Sequence, residues 1–124
     1  MNVYQLKTRT DAFIWLSHLE GDLLSIRASQ NAGLYPPYDD KAEEPEFECA
    51  VFNCGLACGE FIDGLEAGTI APLTAAGKEL LDTLNDMAQT LCGTVWEQAL
   101  NRGVFEARAD RAICAAGADG WIYN

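Results

Sequence analysis

Residues 45–67 read Pro45-Glu46-Phe47-Glu48-Cys49-Ala50-Val51-Phe52-Asn53-Cys54-Gly55-Leu56-Ala57-Cys58-Gly59-Glu60-Phe61-Ile62-Asp63-Gly64-Leu65-Glu66-Ala67. At about 100° per residue, Phe47, Val51, Cys54, Cys58, Phe61, Ile62 and Leu65 fall on one face, which is the signature of an amphipathic helix. Pro45 suits the first helical position, and Gly68 suits the stop just past the last one. Phe52 and Leu56 add a second apolar strip, so this helix is expected to be central and packed on two sides. Gly55, Gly59 and Gly64 lower its intrinsic helicity but admit close approach of a neighbour. Glu60, Asp63 and Glu66 recur at i, i+3, i+6 and are expected along the solvent side.

Working outward, the preceding segment predicts a helix from about Asp11 to Asn31, with Thr10 as N-cap and Gly33 just beyond its end. Ala12, Phe13, Leu16, Leu19, Leu23, Leu24 and Ile26 share a broad apolar face, with His18, Asp22, Ser25 and Ser29 opposite. Gly21 weakens the middle of this helix by about 1 kcal/mol relative to Ala. Downstream, Thr74 caps a helix reaching about Leu91, with Leu80, Leu81, Leu84, Met87, Ala88 and Leu91 inward and Glu79, Asp82 and Asp86 outward. Gly93 interrupts it, and Thr94 with Glu97 forms a capping box for a helix to about Asn101; the alternative is that Gly93 is only a soft spot in one continuous helix. A further helix near Val104–Ala116 places Phe105, Ala109, Ala112, Ile113 and Ala116 on one side. The short aromatic termini, Val3-Tyr4-Gln5-Leu6 and Trp121-Ile122-Tyr123, suit a small two-stranded β ribbon.

The segment 34–46 is of another kind. Pro36, Pro37 and Pro45 with Asp39, Asp40, Glu43, Glu44 and Glu46 exclude a helix interior and a central strand, leaving an acidic, Pro-rich loop. The expectation is therefore an all-α protein: a single helical domain over residues 1–124, built as a compact bundle of four to five helices, with the β ribbon as an addition.

Composition narrows the function. The 124 residues are 49% hydrophobic and 22% charged, a globular balance, and 19 acids against 8 bases leave −11 with a pI of about 4.2. Such a chain does not hold phosphates by its own charge, so direct nucleic-acid binding is not expected. The charge is concentrated. Residues 1–38 sum to zero, residues 39–66 carry nine acids opposed by Lys41 alone, and residues 67–124 sum to −3. Like charges gathered in one segment repel one another, which solubility does not require. No secretory leader, no membrane-spanning apolar run and five cysteines point to a reducing, cytoplasmic location.

Candidate chemistry is sparse. Cys49, Cys54 and Cys58 have neither the C-x2-C spacing nor the second ligand pair of a zinc site, and Cys54 and Cys58 lie among apolar residues, so buried structural thiols are expected. His18, the one histidine, falls on a polar face with Asp22 one turn on. Asp39, Asp40, Glu43 and Glu44 lack the EF-hand pattern. No nucleophile elbow, P-loop, dinucleotide fingerprint or HExxH occurs. No catalytic residue, cofactor or metal is expected.

What remains is recognition. Tyr35, Tyr38, Asp39, Asp40, Glu43, Glu44, Glu46, Glu48, Glu60, Asp63 and Glu66 are the candidate partner-binding residues: a carboxylate field with two aromatic anchors for a basic protein surface, one that ordinarily binds nucleic acid. In size, acidity and want of catalytic motifs the chain resembles anti-CRISPR and anti-restriction proteins, small acidic inhibitors from phages and mobile elements that act as DNA mimics. The resemblance is one of composition and transfers no functional residues. The alternative is a helical assembly or chaperone-like module whose contact is apolar and aromatic, drawn from Trp15, Phe52, Leu56, Trp96 and Trp121.

Overall fold

The computed structural model describes residues 6–32 and 45–115, and among these the chain is all-helical with no strand. Four helices follow in order: α1 (Arg9–Asn31), α2 (Pro45–Ala67), α3 (Ala75–Cys92) and α4 (Thr94–Ala115). The termini expected to form a β ribbon lie outside the described residues.

The helix ends follow local chemistry. The α1 cap is Thr8 and not Thr10: its hydroxyl accepts from the Asp11 N–H at 3.1 Å and its carbonyl from the Ala12 N–H, so α1 starts two residues before the expected Asp11. Gly68 adopts φ +77 just past α2, and the Thr69 and Ile70 N–H groups donate back to the Gly64 carbonyl. The Thr74 hydroxyl accepts from the Gly77 N–H at 3.1 Å and opens α3. Gly93, at φ +51, separates α3 from α4.

The expected fourth and fifth helices are one, because Gly103 does not break α4. It serves instead as a contact surface. A Cβ at Gly59 would overlap the Leu100 carbonyl oxygen and come within 3.0 Å of the Gly103 Cα, and a Cβ at Gly103 would overlap the Leu56 carbonyl oxygen. Backbone meets backbone here, which only glycine allows. Gly55 continues the seam against Ala99 and Trp96.

This seam makes α2 and α4 the most intimate pair of the bundle, and they run parallel, since 55 lies by 96–99, 59 by 100–103 and 63 by 108–111. α1 runs antiparallel to α2: Trp15 stacks on Phe61 with centroids 4.3 Å apart, while Asp22 and Ile26 share a cleft with Ala50 and Cys54. α3 lies alongside α1 in the same sense, joined at the start by the Ala71 N–H to the Leu6 carbonyl and farther along by Arg27 at Met87.

The close seam also decides which face of α4 turns inward. Trp96, Ala99, Gly103 and Ala107 are buried, whereas Phe105, Ala109 and Ala112 are exposed, the reverse of the expected orientation. A phenylalanine facing α2 would hold the two backbones apart, so the small residues take that side. The core otherwise gathers Leu6, Leu16, Leu19, Leu23, Val51, Cys58, Phe61, Ile70 and Leu84. Phe13 and Leu24, expected on the apolar face of α1, lie beyond its margin and are 42% and 48% exposed.

Candidate functional site

The acids expected along the solvent side of α2 do not stay together. Asp63 is 1% exposed and is the one buried charged residue among those described. α4 runs parallel beside it and presents Arg108 and Arg111, three residues apart and so on one side of that helix. Arg108 Nε donates to Asp63 Oδ1 at 3.2 Å, Arg111 Nη2 donates to the same oxygen at 3.2 Å, and Arg111 Nη1 donates to Oδ2. A carboxylate withdrawn from water needs such partners, and two guanidinium groups supply them. Asp63 is therefore a clamp between α2 and α4, not part of a recognition surface.

Glu66, one turn on, approaches Arg108 Nη2 at 3.6 Å; both side chains are more than 60% exposed, so water screens the pair. Glu60, one turn before, is half-buried. Burial first, then the charges of Glu106 and Asp110 on α4, raise its carboxyl above the usual range. Glu106 also accepts a 2.9 Å hydrogen bond from Arg102.

Of the remaining candidates, Tyr35, Tyr38, Asp39, Asp40, Glu43 and Glu44 lie outside the described residues. Glu46 and Glu48 belong to the first turn of α2, which follows that segment directly. A further acidic line, Glu79, Asp82 and Asp86, is exposed on α3, spaced about 4.5 and 6 Å along the axis. α3 packs chiefly on α1 and α4.

The thiols divide by depth. Cys58 is fully buried in the core, and burial pushes its pKa up to about 12, with Cys54 adding to the effect. Cys54 lines an open cleft of about 270 Å³ with Asp22, Ser25, Ile26, Ser29 and Ala50; burial, then the Asp22 charge, raises it to about 11. A thiol so raised holds its proton at neutral pH and is a poor nucleophile or metal ligand. Cys49 and Cys114 are exposed, and Cys49, Cys54, Cys58 and Cys114 are free thiols. Among the described residues, no three His, Cys, Asp or Glu side chains converge as for a metal. His18 is exposed on α1.

Arg108 and Arg111 are the residues sequence reading passed over. Their i, i+3 spacing matches Asp63 and Glu66, a signal that becomes legible once α2 and α4 are known to be parallel neighbours. The aromatic contact of the assembly alternative is also corrected, because Trp15 and Trp96 are core residues. Trp96 is fully buried and its Nε1–H donates to Asn85 at 2.8 Å; Phe52 and Leu56 are half-buried, and Trp121 lies outside the described residues. No described helix is long and apolar enough to cross a membrane.

The described residues thus form a four-helix bundle, and in the sequence an acidic stretch leads into its second helix. Compared with protein-family models, with curated proteins and with solved structures, the chain matches none.

Proposed function

We propose that this chain is a non-enzymatic acidic protein that binds the basic surface of a partner protein, in its sharpest form as a nucleic-acid mimic that inhibits a nucleic-acid-binding complex. One observation carries the reading: six acids fall within residues 39–48, opposed there by Lys41 alone, at the entrance to α2. A field of that density attracts a basic groove over the Debye length, and Tyr35 and Tyr38 add aromatic contact area beside it. Glu66 and Glu60 sit farther along α2 as margin residues, and Asp63 is withdrawn from the set because it is occupied inside the fold. The raised thiols of Cys54 and Cys58 favour a binding role over thiol catalysis.

The test is capture from a lysate of the native host by the immobilised protein, at about 0.1 M and 1 M salt, where the Debye length falls from about 10 Å to 3 Å. A mimic retains a nucleic-acid-binding protein at low salt, and added duplex DNA or RNA competes it off. Reversal of Asp39, Asp40, Glu43 and Glu44 to Lys is expected to weaken that capture without lowering the melting temperature. A quadruple variant that captures the same partner with the same salt response refutes the proposal. Assembly through an apolar face remains a second reading because large apolar side chains are exposed on α1, away from the residues first nominated for it.

A further inference from the structure

Three of the four large hydrophobic side chains exposed among the described residues, Phe13, Ile14 and Leu24, belong to α1. Drawn at about 100° per residue, they border an arc that also holds Ser17, Gly21 and Ala28, all exposed, and no charged side chain falls within it. An uncharged strip of that length is unexpected on a chain of net −11. Gly21 supplies an independent sign. Gly55, Gly59, Gly64 and Gly103 each sit where a Cβ would collide with a neighbour, but a Cβ at Gly21 would meet nothing within 4 Å. The helix therefore carries the conformational penalty of a central glycine without a close approach inside this chain to compensate it.

We infer that the outer face of α1 pairs with α1 of a second copy of this chain, antiparallel about a two-fold axis beside Gly21. The pattern is self-complementary in that arrangement. Phe13 faces Ala28 of the second copy and Leu24 faces Ser17 of the second copy, large against small, with Ile14 at the edge of the arc and the two Gly21 backbones near the crossing. Charge argues for the same occupant. Two copies of net −11 repel wherever their acids face, and the arc without charge is where they meet at least electrostatic penalty. From Phe13 to Ala28 the strip is about 22 Å long and about 10 Å wide, a footprint of about 220 Å² per copy. That is well below the area of standard specific interfaces, so the pair is a weak, transient and concentration-dependent dimer.

Salt separates this contact from acid-led docking. Screening removes repulsion between like-charged copies, so the dimer tightens with salt, whereas capture of a basic partner loosens. The pairing does not rest on the proposed partner-binding function. Sedimentation velocity of the full chain over a wide concentration range, at low and high salt, is the test, with Leu24→Glu as the disrupting variant and Phe105→Glu on α4 as the control. Both positions are exposed, and circular dichroism checks that each variant stays helical. The parent and Phe105→Glu are expected to shift from monomer to dimer as concentration rises, more so in high salt, while Leu24→Glu stays monomeric. A parent monomeric under all conditions overturns the inference, as does a Leu24→Glu variant that dimerises like the parent or a Phe105→Glu variant that does not dimerise. Leu24→Glu leaves the acids of residues 39–48 in place, so its partner capture is read separately.

Discussion

Two glycines with one residue type and opposite surroundings show how much a single Cβ decides in this protein. At Gly59 the added carbon would overlap the Leu100 carbonyl oxygen, and neither backbone can yield without parting α2 from α4. Gly59→Ala is expected to destabilise the fold by about 3 kcal/mol, the upper end of overpacking, even though alanine favours the helix by about 1 kcal/mol. At Gly21 the space is open, so Gly21→Ala is expected to raise monomer stability by up to about 1 kcal/mol. Urea unfolding of both variants in dilute solution checks the pair of signs. Glu60 offers the pH counterpart. Its folded pKa lies above the unfolded one, so its ionised form opposes folding; that penalty is absent in acid, grows as pH rises past the unfolded carboxylate pKa, and is complete above the folded value. Glu60→Gln is therefore expected to melt higher than the parent at pH 7 and to match it below about pH 4, near the ordinary glutamate pKa. Thermal melts across that interval give the comparison.

At the scale of the element, α2 and α4 are held by two unlike devices in sequence along one seam: glycine contact at residues 55–59 against 96–103, then the Asp63 clamp a turn farther on. The clamp is asymmetric. Asp63 is 1% exposed, whereas the side chains of Arg108 and Arg111 are 61% and 32% exposed. Removing both arginines strands a buried carboxylate, and the double change to Met is expected to cost about 3–5 kcal/mol. Asp63→Asn releases two arginines that reach water and keeps an oxygen to accept a hydrogen bond, so it is expected to cost less, about 1–2 kcal/mol. Denaturant midpoints of the two variants give the order, and a costlier Asp63→Asn contradicts the asymmetry. The i, i+3, i+6 line of Glu60, Asp63 and Glu66 was visible in the sequence, but a carboxylate spacing reads the same whether water or a guanidinium faces it.

For the whole molecule, charge and apolar surface divide the work between different regions. The acids of residues 39–48 lead up to α2 and fill its first turn, and the uncharged arc lies on the outer side of α1. The two associations argued from them carry opposite salt dependence, so one titration separates electrostatic docking from self-pairing. Much of the bundle was legible in the amino-acid order alone: Pro45, Gly68, Thr74 and Gly93 mark real helix boundaries, and Leu16, Leu19, Leu23, Val51, Cys58, Phe61 and Leu84 are core residues as their period implied. Caps and apolar period are properties of a few consecutive residues, which is why they can be read without a neighbour in view. Only the tertiary structure decided that α4 turns Ala99, Gly103 and Ala107 inward and Phe105 outward, and that Asp63 belongs to the interior. Both outcomes depend on which helix lies opposite and how near its backbone comes. A separation set by glycines distant in the chain selects small side chains for the seam and brings two arginines to one buried carboxylate.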